Sequence, residues 1–382
     1  MARNIKYGMV GGHIQAFIGD VHRKSINFDP RAELVAGCFS RDVELSNKTA
    51  EVYGIDSSRV YADYNAMAKE EAGRDDGIDF VVVVTPNNTH YEICKAFLTA
   101  GIHVVCDKPL CFEVAEAEEL VKLSEEKGLV FGVTYTYVGY AMVKVMREMV
   151  QNGVIGDIVN VNAEYAQDWL LGELDKDNKA ASNIAVWRMD PKYSGMANCV
   201  GDIGTHIECT VAYVTGLRIK RLLATTNKFG YPLDFNANII LEYDNGVNGA
   251  YWCSQLAAGR TNGLAVRVYG TKGSLEWEQH YPDYVRYTPA GEAPRMLSRG
   301  SGYIKEDAAS YSRIPPGHPE GLYIGFANTY KNIISSVEKI KAGQKPDKND
   351  LDFPNACHGL DGVKFVHAVV ESAKNNSAWV NL

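Results

Sequence analysis

The sequence predicts two domains: an α/β domain with a doubly wound parallel sheet, then an α+β domain with a large, mostly antiparallel open sheet. Three observations carry that reading. The first third alternates apolar strand patterns with helical ones. After about residue 155 the texture changes to long segments of alternating polarity. The length, 382 residues, exceeds what one core organises. The expected domains are 1–137 and 138–382.

The N-terminal elements come in order. IKYGMVG (5–11) is a buried strand that ends in glycine. GDVHRKSINF belongs to the helix after it, and ELVAGCF (33–39) is a second strand. Residues 43–53 read as a helix. FVVVV lies in a strand over 79–85, and an unbroken β-branched run suits a parallel sheet covered on both faces. THYEICKAFLTAG is a helix closed by Gly101, and HVVCDKP (103–109) is a strand stopped by Pro109. A helix over 113–127 and a strand VFGVTYTY (130–137) complete a Rossmann-type series.

In the second half, DIVNVNAEYAQDW, RLLATTNKF and AVRVYGTKGSLEWEQ alternate like strands. NIILEYDNGVNGAYWC carries a DNG turn between two such runs, which reads as an antiparallel hairpin. One helix is expected near 203–215 and a long loop over 291–317. A last helix over 355–374 is expected to pack back on the first domain.

Composition narrows the function classes. The chain is 46% hydrophobic and 23% charged, with a net charge of −8. Electrostatics therefore give no reason to expect nucleic acid or an anionic membrane as partner. No apolar run approaches a membrane span. The start, MARNIKYGMVGG, shows no apolar signal region, so a cytoplasmic protein is expected. The eight cysteines form no CxxC pair. Free, reduced thiols are expected, with neither a disulfide frame nor a metal site.

The stretch MVGGHIQAFIG comes after the first strand, where a dinucleotide-binding glycine loop belongs. In such a loop, backbone N–H groups and the next helix N-terminus hold the pyrophosphate. Gly8 is the strand glycine, Gly11 the tight turn, and Gly12, His13, Ile14 and Ala16 come after it. His13 stands where the second glycine of G-x-G-x-x-G/A usually lies. The end of the second strand reads CFSRD. Ser40 with Arg41 suits a 2′-phosphate, hence NADP(H); Asp42 suits the ribose hydroxyls of NAD(H). Both remain open here, with NAD the preferred cofactor.

Ligands of such sheets bind beyond the carboxyl ends of the strands. Two ends are polar in an unusual way: TPNNTH (85–90) and DKP (107–109). Lys108, beside a cationic nicotinamide and partly desolvated, would have a lowered pKa and suit contact with a substrate hydroxyl. In GDIGTHIE (201–208), Asp202 and His206 are four apart and share a helix face. An Asp on one imidazole nitrogen leaves the other as a general base.

Taken together, these motifs resemble the Gfo/Idh/MocA family of oxidoreductases. The matching pieces are the glycine loop, TPNNTH, DKP where the family usually has EKP, and WRMDP followed by GDIGTH. GG-x-x-x-AFIG-x-VHR and PGHPEG further resemble a subgroup of glucoside and C-glycoside 3-dehydrogenases. The resemblance implies a catalytic trio of Lys108, Asp202 and His206. Thr85, Pro86, Asn88, His90 and Asp107 would line the cofactor, Asp107 standing in for the usual Glu. Tyr135, Asp168, Trp187, Arg188 and His318 are candidate substrate contacts by position and polarity.

The expected activity is NAD(P)-dependent oxidation of a secondary hydroxyl of a sugar, inositol or glycoside, C3 of a glucoside being the preferred position. Tightly bound cofactor is compatible with that reading. Two alternatives stand beside it: redox-assisted glycoside cleavage by elimination, and a non-enzymatic dinucleotide- or sugar-binding regulator. A homo-oligomer, dimer or tetramer, is expected, because a broad sheet needs its outer face covered.

Overall fold

The computed structural model describes residues 5–174, 186–304 and 306–382. The chain forms two compact units, Met1–Gly139 with Leu322–Leu360, and Tyr140–Gly321 with Asp361–Leu382. This differs from the expected division, because Leu322–Leu360 clusters with the N-terminal unit. The reason is an apolar stripe on the helix Leu322–Lys341. Phe326, Tyr330, Ile333, Ile334 and Val337 join a core with Tyr7, Met9 and Phe80. Their spacing marks a helix but not the core it fills.

The first unit holds β1 (Ile5–Gly11), α1 (Phe17–Ile26), β2 (Ala32–Cys38), α2 (Val43–Tyr53), α3 (Tyr64–Ala72) and β3 (Phe80–Val84). It continues with α4 (His90–Thr99), β4 (His103–Cys106), α5 (Val114–Glu126) and β5 (Phe131–Val133). The sheet order is β2-β1-β3-β4-β5, and every pairing is parallel. The order reverses between β1 and β3, which opens a crevice beyond their carboxyl ends. All five residues of β3 are buried, as its unbroken apolar run requires.

Two strands are shorter than expected. β4 stops at Cys106, so DKP lies wholly in the turn after it. VFGVTYTY pairs only over Phe131–Val133. Val133 then donates its N–H to Pro354 O at 2.8 Å, and Thr136–Gly139 forms a 3₁₀ turn. The Thr/Tyr alternation suits a strand, but Tyr135 and Tyr137 are buried in a turn instead.

The second unit contains α6 (Ala141–Gln151), β6 (Ile158–Ala166) and a helix over Thr205–Thr215. The strands β7 (Ile219–Asn227), β8 (Asn236–Tyr243), β9 (Asn248–Ser254), β10 (Gly263–Gly270) and β11 (Gly273–Glu278) come next. β12 (Tyr284–Pro289), β13 (Arg295–Ser298) and β14 (Val380–Asn381) complete a nine-stranded sheet. Its order is β13-β12-β11-β10-β6-β9-β8-β7-β14, antiparallel except for β6 with β9. α6 and the Thr205–Thr215 helix pack on one face of it.

The DNG hairpin forms as expected. Glu242 pairs with Asn248, and Gly246 takes φ +83° in the turn. The expected loop 291–317 instead contains β13, which pairs with β12. Arg299, 3% exposed, organises the segment after β13. It donates to Asp283 Oδ1 (2.7 Å) and Ile314 O (2.8 Å) and also binds His318 O. The C-terminal helix Ala356–Lys374 contributes its first turn to the first unit and its remainder, from Asp361, to the second. Among the described residues no helix is long and apolar enough to cross a membrane.

Candidate active site

The glycine loop leaves β1 through two consecutive left-handed residues, Gly11 (φ +82°) and Gly12 (φ +74°). L side chains are strained there, and a Cβ on Gly11 would sit 2.9 Å from Val84 O. Gly19, on α1, packs directly on the loop. A Cβ there would meet Gly12 Cα at 2.2 Å. Close packing of helix on strand therefore falls to Gly19 rather than to Ala16, which is only the N-cap of α1. His13 Nδ1 accepts from Gln15 N at 3.3 Å. Ile14 N donates to Thr49 Oγ1 at 3.3 Å. A double-glycine turn pressed onto a helix N-terminus is a fitting cradle for a pyrophosphate.

At the end of β2, Asp42 is engaged as the N-cap of α2. Its Oδ1 accepts from Glu44 N (3.0 Å) and Leu45 N (3.2 Å). Ser40 Oγ accepts from Asp42 N at 3.1 Å, and Arg41 is exposed. Asp42 thus stabilises a helix, which the CFSRD spacing did not reveal.

The other two strand ends are locked together by a histidine. His90 is fully buried, with Nδ1 2.9 Å from Pro109 O and Nε2 3.0 Å from Thr85 O. Burial lowers its pKa. His90 therefore ties TPNNTH to DKP rather than lining an open pocket. Thr85 Oγ1 accepts from Thr89 Oγ1 at 2.7 Å, while Pro86 and Asn88 are exposed in the turn. Lys108 is half-buried just past β4, and its peptide bond to Pro109 is cis.

Asp107 belongs to a polar cluster that the sequence did not announce. Its Oδ1 accepts from Thr134 Oγ1 at 2.7 Å and lies 3.8 Å from His22 Nε2. His22 is fully buried, and its Nδ1 lies 2.6 Å from Tyr330 Oη. Against the cost of burial, His22, Lys108 and Thr134 hold the Asp107 carboxyl far below the usual range. The VHR motif thus links the glycine-loop helix to the strand end that carries Lys108.

In the second unit, Asp202 lies in a π-helical turn, Val200–Gly204, and His206 in the helix that continues it. Such turns are rare and concentrate at functional sites. His206 is 7% exposed and its ring centroid is 5.9 Å from that of Tyr165. Asp202 Oδ2 accepts from Gln255 Nε2 at 2.9 Å, and Oδ1 is 4.0 Å from Arg188 Nη2. Around them runs a strip of amides and aromatics. Trp169 Nε1 donates to Gln167 Oε1 (2.9 Å), Gln167 Nε2 to Asn262 Oδ1 (2.8 Å), and Tyr165 Oη to the same oxygen (2.7 Å). The Arg188 guanidinium sits 5.8 Å from the Trp169 ring centre.

The remaining candidates divide. Arg188 joins the strip. Asp168 caps a turn, with Oδ2 accepting from Gly259 N at 3.1 Å. His318 is exposed, with its carbonyl held by Arg299. Tyr135 is fully buried in the first unit. The Trp187 side chain lies outside the described residues. Gln167, Trp169, Gln255 and Asn262 were missed, because neutral amides and a lone Trp carry no motif. Six of the eight cysteines are buried and all are free thiols.

Two residues past His206, Glu208 is buried at 7% exposure, and burial with the nearby Asp361 charge pushes its pKa to about 8. The folded state therefore favours the protonated acid, whereas the unfolded chain ionises near its ordinary value. Stability should fall as pH rises from about 4.5 towards 8, by on the order of 1.4 kcal/mol per unit at most, and then level off. Glu208→Gln should flatten that decline. Melting temperatures of both proteins at pH 5, 6.5 and 8 test this, and parallel curves would refute it.

Two family descriptions match the chain. "Oxidoreductase family, NAD-binding Rossmann fold" covers residues 5–135, and "GFO/IDH/MocA C-terminal domain" covers 143–276. The oxidoreductase YfiI of Bacillus subtilis, described as uncharacterized, is 35% identical over 100% of this chain and 97% of its own length. The chain belongs to the GFO/IDH/MocA family. An inositol dehydrogenase homolog from Azotobacter vinelandii, solved with NAD+, superposes with a TM-score of 0.92 at 35% identity, over 100% of this chain and 98% of that one. The same homolog has been solved with NADH and myo-inositol, at a TM-score of 0.90 and 34% identity over 100% and 98%. Levoglucosan dehydrogenase of Pseudarthrobacter phenanthrenivorans is 24% identical over 100% of this chain and 98% of its own. As a GFO/IDH/MocA oxidoreductase, the protein has an NAD-binding Rossmann domain as its first unit, and the glycine cradle described above fits that cofactor.

Proposed function

We propose that the protein oxidises a secondary hydroxyl of a cyclic polyol, sugar or glycoside with NAD as acceptor, C3 of a glucoside being the preferred position. The observation that carries this reading is the patch around His206. One imidazole, one carboxylate, a guanidinium, several amides and two aromatic rings lie within it. Hydroxyl groups need such donors and acceptors, while the C–H faces of a ring need aromatic surface. The myo-inositol-bound relative supports the substrate class.

The dinucleotide supplies the hydride acceptor. The chain's own residues supply position and proton transfer. In this proposal Lys108 Nζ holds the reacting hydroxyl oxygen and a His206 ring nitrogen takes its proton. Asp202 keeps the imidazole basic. The hydroxyl carbon loses a hydride and its oxygen a proton, leaving a ketone.

The test is a mass and absorbance analysis of the purified protein against a panel of inositols, sugars and glucosides. The expected result is bound NAD whose reduced nicotinamide band rises with one class of substrate, with a 3-keto product from a glucoside. No bound dinucleotide and none taken up when added would sink the enzymatic reading. A bound NADP would correct only the cofactor.

We also propose a homo-oligomer, formed through the sheet face opposite α6. Ile240 (45% exposed) pairs there with Leu223 and Ala250, and Trp252 and Tyr269 lie on the same face. Light scattering that gives a monomer at micromolar concentration would reject it. Dependence on NAD suits a cytoplasmic protein, and fractionation of expressing cells tests that.

A further inference from the structure

Behind Asp202 runs a hydrogen-bonded chain of buried amides that the reaction as proposed does not use. Gln255 directly follows β9 and is fully buried. Its backbone is fixed on both sides, the N–H on Phe235 O (2.9 Å) and the carbonyl accepting from Leu170 N (3.1 Å). Its side chain spans two partners. Oε1 accepts from Asn198 Nδ2 at 2.8 Å, and Nε2 donates to Asp202 Oδ2 at 2.9 Å, with Gln167 Oε1 3.4 Å away.

The direction of this chain is set by its ends. A backbone carbonyl and a carboxylate only accept. Asn198 Nδ2 also donates to Asp234 O at 3.1 Å, so its amide must face that way. Asp202 can only accept from the NH₂ group of Gln255. Asn198 is itself anchored, because its N–H and that of Val200 both donate to the Asp234 carboxylate at 2.8 Å. The amide dipoles therefore line up head to tail and end with a donor on Asp202. A donor on a carboxylate favours its charged form, and buried amide chains polarise one another in that sense.

We propose that Gln255 is a positioning residue that holds the Asp202 carboxylate ionised and oriented, and thereby sets the basicity of His206. The inference rests on the reading of Asp202 and His206 as catalytic. Among the described residues, titratable and charged groups near the pair include Arg188 from the Val186–Met189 turn, Tyr165 from β6, Asp234, and the Cys199 and Cys253 thiols. Arg188 is the only cation among these named neighbours. Without Gln255, Asp202 loses a donor that favours its charged form, and on the proposed mechanism His206, one helical turn on, becomes less basic.

The test uses the full-length protein with ¹⁵N-labelled histidine, so that His206 is titrated directly without substrate. Gln255→Leu removes the donor at similar size. Gln255→Glu keeps the shape and places a second carboxylate against Asp202. The expected result is a His206 titration lowered by about half a pH unit or more in Gln255→Leu and raised in Gln255→Glu. The acid limb of kcat/KM should move with it in each case. In Gln255→Leu, kcat/KM should also fall roughly ten- to a hundredfold with the dinucleotide KM unchanged.

A His206 titration unmoved in folded Gln255→Leu, or in the shorter Gln255→Asn should the first not fold, overturns the proposal. Asp202→Asn and His206→Ala separate the two readings. Full activity in both removes the catalytic assignment. Lost activity there, with an unmoved His206 titration in the Gln255 variants, removes only the role of Gln255.

Discussion

Replacing His206 with alanine should lower kcat/KM by roughly 10²- to 10⁴-fold while leaving dinucleotide binding in place, the usual worth of a positioned general base. His206 sits in the second unit, and the glycine cradle lies wholly in the first. On the proposed mechanism the substitution removes the proton acceptor and leaves every residue of the glycine cradle unchanged. Lys108→Ala should fall by a similar factor for another reason, the loss of the group proposed to hold the hydroxyl oxygen. Turnover on the substrate found by the panel, with dinucleotide affinity measured separately by fluorescence titration, checks both. Retained turnover in either variant would remove that residue from the mechanism. Lost dinucleotide binding in His206→Ala would mean the helix does more than present a base.

The second large effect is expected on stability. Glu71 is 1% exposed and its carboxylate collects four donors. Arg59 approaches with Nε on Oε1 (3.0 Å) and Nη2 on Oε2. Tyr61 Oη reaches Oε1 at 2.9 Å, and Ile78 N reaches Oε2 at 3.2 Å. Glu71→Ala would leave a guanidinium that is itself only 6% exposed with Asp76 alone, through Nη1 at 3.4 Å. Removing one partner of a buried pair costs about 3–5 kcal/mol. Glu71→Gln keeps the shape and should cost less. Urea unfolding of the full-length protein, followed by circular dichroism, measures the difference. A loss under about 1 kcal/mol would show that water reaches the pair and that it behaves as a surface ion pair.

The fold was legible where local pattern and burial coincide. FVVVV suited a strand covered on both faces, DNG between alternating runs read as a hairpin, and both formed. Motifs that carry their own chemistry, Lys108 in DKP and the Asp202/His206 spacing, are what the sequence offers for the proposed site. It was illegible where a residue's role depends on a distant partner. Asp42, one of two candidates for the ribose end of the cofactor, is also the N-cap of α2. His90 looked like a pocket residue and bridges the carbonyls of Thr85 and Pro109, which belong to different strand ends. Ala16 filled the place of the packing residue in the fingerprint, yet Gly19 makes the contact, because the loop runs longer before α1 begins.

By itself, then, the sequence determined the strand–helix alternation of the first third, the two sheet types, the glycine turn and the residues with titratable chemistry. These come from periodicity, turn chemistry and side-chain type, all of which act over a few neighbouring residues. The tertiary structure alone decided that Leu322–Leu360 completes the first core, that His22 and Tyr330 stand behind Asp107, and that Gln255 stands behind Asp202. Each of these joins residues far apart in the chain. Burial sets the strength of such polar contacts, and burial is a property of the packed molecule rather than of any stretch of it.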